Sequence, residues 1–234
     1  MAARVRRTLM RYFQTLHAAL GPQHWWPART PFEVVVGAIL TQNTSWTNVE
    51  RAIANLRRER LLAPASLERV TRARLARLIR SSGYFRQKAK KLKSFVQFLR
   101  HEYGGSLRRM FAAPAAELRE KLLAVHGIGP ETADSILLYA AKHPVFVVDA
   151  YTRRIFARHD LVSAKASYEE VRSLFEQSLP RDPQLFNEFH ALLVVTGKNW
   201  CRTRSPCCGE CPLGQFLTPA QRERLKRTGV REGG

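Results

Sequence analysis

Residues 122–153 read LLAVHGIGPETADSILLYAAKHPVFVVDAYTR, and this stretch decides the fold. An apolar helix end runs into Gly127-Ile128-Gly129, and Pro130 opens a second helix. The glycines allow a tight turn and a close approach by something bulky. Pro130 suits a first helical position, where its missing N–H costs nothing. Such a hairpin turns free amides and a positive helix end outward, which suits a phosphate. Some twenty residues on, the apolar run Val145–Val148 delivers one carboxylate, Asp149. A phosphate grip followed by a lone acid points to chemistry on nucleic acid.

Outward from this stretch the pattern is helical nearly throughout. Apolar periodicity predicts helices over 4–20, 32–42, 45–58, 66–80, 86–102, 114–125, 130–142, 150–158, 167–178 and 182–197. Val34-Val35-Val36 alone would pass for a strand, but the apolar pattern continues through Val49, Ile53 and Leu56. Breaks are expected at Pro64, Gly83, Gly104-Gly105 and Gly127–Gly129. A charged tail from Gln221 to Gly234 is expected to fray.

The 234 residues are 45% hydrophobic, which excludes a disordered basic tail and suits a globular chain with a real core. Lys and Arg number 39 against 19 acids, a net +20, and this excess binds a polyanion through counterion release. No apolar run approaches a membrane span. Residues 1–30 lack the apolar stretch of a signal peptide and carry Trp25-Trp26-Pro27, so a cytoplasmic protein is expected. The four cysteines, Cys201, Cys207, Cys208 and Cys211, fall within eleven residues. In a reducing compartment that clustering reads as metal or iron–sulfur ligation.

Several further motifs recur in order: LTQNTSW at 40–46, GYFRQKAKKL at 83–92, HGIGPETAD at 126–134, VVDAYTRRI at 147–155 and C-x6-C-x2-C at 201, 208 and 211. With them the chain resembles the helix–hairpin–helix DNA glycosylase superfamily, of which endonuclease III is a member, over roughly residues 9–217. The resemblance implies an all-α fold of two helical domains flanking a DNA cleft. One is a six-helix barrel carrying the hairpin, at 31–143. The other is a discontinuous cluster domain, at 1–30 and 144–220, followed by the basic tail at 221–234. It implies a monomer acting on double-stranded DNA that contains damaged bases.

The same resemblance assigns roles. A nucleotide flipped from the duplex leaves a gap for Gln42 to fill, with Tyr84 as a wedge beside it. Amides at Gly127 and Gly129 hold a phosphate, and Arg153 tracks the backbone. Asp149 stabilises the oxocarbenium-like sugar and orients or deprotonates the attacking water. Tyr84 also reads as a packing residue, and Asp149 as the N-cap of the following helix; capping and catalysis are compatible.

Two positions depart from the family pattern. The Schiff-base lysine of endonuclease III-like enzymes aligns with Glu131, and a carboxylate forms no imine. A monofunctional, hydrolytic glycosylase is therefore expected. The fourth cysteine of the family loop aligns with Leu217, and Cys207 is extra. Either Cys207 replaces the missing ligand, or a [4Fe–4S] cluster is held by fewer thiolates, or the cluster is absent; tetrahedral zinc is the other four-thiolate option.

Within the superfamily the chain is most similar to bacterial 3-methyladenine DNA glycosylases, which carry a Trp pair before the first barrel helix and an aromatic after LTQNT. Here these are Trp25, Trp26 and Trp46, with Lys198 at the position of a pocket lysine. Indole faces favour a cationic alkylated purine. Tryptophans are also ordinary core residues. Two rival readings stay open: an endonuclease III-like glycosylase on oxidised pyrimidines with weak or absent lyase activity, and a catalytically inactive DNA-binding module.

Overall fold

The computed structural model describes residues 2–227, and among these no strand forms. The chain divides into two compact units, Trp26–His143 and Met1–Trp25 with Pro144–Gly234.

The first unit holds α2 (Pro31–Leu40), α3 (Trp46–Arg58), α4 (Pro64–Arg69), α5 (Arg72–Leu78), α6 (Phe85–Tyr103), α7 (Leu107–Phe111), α8 (Ala115–Ala124) and α9 (Pro130–Ser135). Helix α2 is its centre and packs on α3, α6, α9 and the turn after α9. It starts because Thr30 caps it, accepting the Glu33 N–H at 3.2 Å, with Pro31 at the first position. Val34, Val35 and Val36 are all buried because the helix is covered on every side, which explains why they imitate a strand. The buried Glu33 carboxylate meets the guanidinium of Arg57 at 2.6 Å.

The single helix expected over 66–80 is two. Val70 is extended (ψ 140°), and Thr71 caps α5 by accepting the Arg74 N–H at 3.3 Å. A local side-chain bond there outcompetes helix continuation. Helix α6 starts after two left-handed residues, Gly83 (φ 68°) and Tyr84 (φ 44°). Lys88, one turn in, is buried and donates to the carbonyls of Leu40 and Ser82 at 2.9 and 2.5 Å, tying this loop to the end of α2. After α9 the backbone widens into a π turn over Ile136–Ala140, with the Ala141 N–H reaching Ile136 O at 3.0 Å.

The second unit holds α1 (Ala2–Leu20), α10 (Ala150–Arg158), α11 (Tyr168–Ser178), α12 (Pro183–Asn199) and α13 (Pro219–Arg227). Its core is aromatic: Phe146 stacks on Phe175 at 3.7 Å and meets Phe186 edge-on at 5.5 Å. The buried run Val145–Val148 has no partner strand. Side chains take its amides instead: Phe146 N–H donates to Glu176 Oε1 at 2.9 Å and Val148 N–H to Tyr168 Oη at 3.3 Å. Helices α10 and α12 pack closely because Gly197 leaves room for Tyr151; a Cβ there would sit 2.4 Å from the Tyr151 ring. The tail corrects the fraying expected from Gln221. Leu225 is buried, Arg222 donates to Gly214 O at 2.8 Å, and Arg224 pairs with Asp160, so the helix persists to Arg227. The remainder of the expected tail, 228–234, lies outside the described residues. No helix among the described residues is long and apolar enough to cross a membrane.

Candidate active site

In the unit Trp26–His143 the hairpin is built as a hinge of one left-handed glycine. Gly127 has φ +83°, a conformation costly for other residues. Gly129 is extended (φ −95°, ψ 179°), so its backbone does not require glycine. A Cβ at Gly129 would meet nothing within 4 Å, and the space over it is open. A Cβ at Gly127 would strike the Lys91 side chain at 2.4–2.7 Å. Lys91 lies over the hairpin and its ammonium donates to Gln42 Oε1. The Gln42 amide donates in turn to Gly127 O at 3.1 Å and Thr132 Oγ1 at 2.9 Å. Gln42 and Gly127, two residues singled out from sequence, are therefore joined through one network. Lys91, which the sequence offered only as part of GYFRQKAKKL at 83–92, completes it.

Tyr84 stands 67% exposed at the tip of its left-handed loop, unlike a packing residue. Left-handed tyrosine is uncommon and mildly strained. Trp26 meets Trp46 edge-on at 5.1 Å and Tyr139 at 5.1 Å, and Gly37 makes room for the Trp26 indole. The π turn supplies Tyr139; such turns recur at functional sites. Trp46 Nε1 donates to Glu50 at 2.9 Å, which places a carboxylate beside the cluster. Trp26 and Trp46 are half-buried, consistent with a lined recess as well as with a core. Glu131 lies exposed in the first turn of α9, where its charge favours the helix N-terminus.

In the other unit, Asp149 caps α10. Its Oδ1 accepts the Thr152 N–H at 2.7 Å, so capping and a fixed carboxylate coincide. Oδ2 faces His190 Nε2 at 3.8 Å. His190 is buried, and burial pushes its imidazole below the usual range while Asp149 pulls the other way. No motif marked His190; its only sequence signal is a polar residue on the buried face of α12. Trp25 is half-buried and Lys198 is exposed on the last turn of α12. Arg153 is engaged within its own unit, donating to Ala166 O at 2.6 Å.

Arginines of α10 anchor the cysteine loop. Arg154 donates to Cys201 O at 2.7 Å, and Arg158 reaches Cys201 Sγ at 3.2 Å and Arg202 O at 2.7 Å. Cys201, Cys208 and Cys211 line one cavity together with Leu217. Cys207 is outside that lining, with its Sγ 3.9 Å from Ser205 O. Burial pushes the Cys211 thiol up to about 11 and raises Cys208 as well. A bound cation reverses that preference and holds thiolates. Among the described residues no three His, Cys, Asp or Glu side chains converge as ligands of a single metal ion. The loop is closed by Gly214, where a Cβ would lie 1.9 Å from Cys208 O.

Comparison with known proteins agrees with this geometry. Residues 36–181 match the family model of the HhH-GPD superfamily of base excision DNA repair proteins. The chain is 47% identical over 197 residues, 84% of its length and 89% of the relative's, to the Methanocaldococcus jannaschii protein named "Putative DNA repair glycosylase". It is 31% identical to Thermotoga maritima endonuclease III, over 78% of this chain and 80% of that one. Among solved structures it is similar to the H. pylori 3-methyladenine DNA glycosylase bound to 1,N6-ethenoadenine, with TM-score 0.70, 27% identity and coverage of 84% of this chain and 97% of that one. It shares its fold with an endonuclease III–DNA complex at TM-score 0.79 and 22% identity, covering 94% and 98%. A capped aspartate after a helix–hairpin–helix, an all-helical fold and a family match over most of the chain lead to one conclusion: this protein belongs to the HhH-GPD superfamily and is a base excision DNA glycosylase.

Proposed function

We propose that the enzyme releases alkylated purines of the 3-methyladenine type by simple hydrolysis, leaving the strand uncut. The observation that carries this reading is the aromatic group of Trp26, Trp46 and Tyr139 with Glu50 beside it. A methylated purine bears positive charge, and indole faces and a carboxylate favour it over a neutral base. Trp25 and Lys198 are the further pocket residues of this reading. The similarity to the H. pylori 3-methyladenine glycosylase supports it. Glu131 at the lysine position supports hydrolysis: no amine stands there to attack the sugar.

In the proposed reaction, hairpin amides at Gly127 and Gly129 hold a phosphate of the flipped strand, Arg153 adds positive charge, Tyr84 parts the stack and Gln42 fills the gap. Asp149, aimed by its bond to the Thr152 N–H, stabilises positive charge on the sugar and takes a proton from the attacking water. The alkylated base is cationic while joined to the sugar and departs neutral with the glycosidic electron pair, so no acid is needed to protonate it. A [4Fe–4S] cluster is the group proposed for the cavity that Cys201, Cys208 and Cys211 line, with zinc as the alternative. Its contribution would be structural, cross-linking residues 201–211 beneath α10.

A second reading, excision of oxidised pyrimidines, is favoured by the 31% identity to T. maritima endonuclease III. Base release from methylated duplex DNA and from duplex containing thymine glycol, each with and without alkali, separates them. Methylpurine release with strand breakage only after alkali is expected. Release of thymine glycol without methylpurine would replace the proposal with the second reading, and breakage before alkali would add a lyase step to it. Tight duplex binding with no base released would make the chain a binding module.

A further inference from the structure

Asp149 has two oxygens, and the structure gives each a neighbour. The Thr152 N–H takes Oδ1 at 2.7 Å, while Oδ2 faces His190 Nε2 at 3.8 Å. His190 is 5% exposed and meets the Phe146 ring edge-on at 6.5 Å. Burying an imidazole in an aromatic core costs free energy that a leucine would not, unless its polar atoms are used. Its approach to Asp149 is also built in: Gly197, two turns along α12, lets that helix close on α10 through Tyr151.

We infer that His190 is a positioning residue for Asp149, its neutral ring donating from Nε2 toward Oδ2 so that both carboxylate oxygens are fixed. The inference rests on the reading of Asp149 as the catalytic carboxylate. At 3.8 Å the contact is longer than a hydrogen bond, and catalytic hydrogen bonds commonly tighten only when substrate is bound. Burial keeps the ring neutral at pH 7, so it acts as a donor and not as a second charge. On the neighbouring segments Tyr168 Oη accepts the Val148 N–H, and Glu176 accepts the Phe146 N–H and faces Arg172 at 3.4 Å. Asp149 is a charged neighbour that acts on His190.

The test is single-turnover base release as a function of pH for wild type, His190→Phe, His190→Gln and Asp149→Asn, on whichever of the methylated or thymine-glycol duplexes the enzyme cuts. With the donor removed, the acid limb of base release by His190→Phe is expected to lie about one pH unit above that of wild type. Misplacement of the carboxylate is expected to lower its rate at pH 7 by about 10- to 100-fold. His190→Gln, whose amide donates, should restore much of both, and binding to duplex carrying an abasic analogue should hold in all variants. If His190→Phe does not fold, His190→Gln alone decides: a rate between those of wild type and Asp149→Asn, with the acid limb displaced from that of wild type, is expected. A lower melting temperature with an unmoved limb and unchanged rate would reduce His190 to a packing residue and overturn the inference. If Asp149→Asn releases base at the wild-type rate, the catalytic reading of Asp149 falls; if it is inactive while the His190 limb stays put, only the present inference falls.

Discussion

Asp149 Oδ1 accepts the backbone N–H of Thr152 at 2.7 Å, so one bond both starts α10 and aims the carboxylate. The two roles separate by substitution. Asn caps a helix about as well as Asp, so Asp149→Asn should keep stability within about 1 kcal/mol, while Asp149→Ala should cost about 1 kcal/mol. Both should lose base release by more than about 100-fold, because the amide and the methyl carry no charge for the sugar. Chemical denaturation beside single-turnover kinetics checks this. A stable Asp149→Asn that still cuts would leave Asp149 as a cap only.

The two hairpin glycines should behave differently. Gly127→Ala forces a left-handed alanine, at about 1–2 kcal/mol, and pushes Lys91 off Gln42. Gly129→Ala meets no atom within 4 Å, and as a poorer N-cap than glycine it should cost about 0.5–1 kcal/mol. Both should weaken binding to an abasic-analogue duplex, since the methyl of Gly129→Ala occupies the space proposed for a phosphate. Melting temperatures and binding titrations at fixed salt decide; full DNA affinity in Gly129→Ala would move the phosphate elsewhere.

Much of this was legible in the sequence, for local reasons. Gly127, Pro130 and Asp149 announce themselves because turn, first helical position and cap each have a preferred residue type. Helix α2 was legible only through the pattern beyond it, since a helix buried on all sides loses its amphipathic period. The break at Thr71 and the π turn at Ile136–Ala140 escaped because a single cap bond and one extra backbone residue barely alter composition. His190 and Lys91 were hidden for a different reason. Their partners, Asp149 and Gln42, are distant in sequence and meet them only through packing.

Lys88 links fold and pH. Burial pushes its ammonium down to about 8, against an ordinary 10.5. The unfolded chain holds that proton up to about 10.5 and the folded chain releases it near 8, so the unfolded state binds more protons between these values. Stability from this group is therefore full above about 10.5 and is lost as pH falls to about 8. Lys88→Met removes the donor to Leu40 O and Ser82 O and should cost about 1–3 kcal/mol at pH 7. The gap to wild type should widen as pH rises from 8 to 10. A gap independent of pH would mean that Lys88 keeps its proton throughout.

The cysteine loop yields the last prediction. Leu217 shares the cavity of Cys201, Cys208 and Cys211, whereas Cys207 does not line it. If these three thiolates hold a cluster, Cys207→Ser should keep its iron, and Cys208→Ser or Cys211→Ser should lose it. Leu217→Cys adds a thiol where the cavity has only a methyl-bearing wall, so its cluster should survive longer in air than that of wild type. Gly214→Ala drives a methyl into the Cys208 carbonyl, a backbone atom with no side-chain freedom, and should lose the iron with all three thiols retained. Iron content and visible absorbance of anaerobically purified protein, followed over time after exposure to air, read all of these variants. Iron lost from Cys207→Ser would instead make Cys207 the fourth ligand, with the loop rearranged around it.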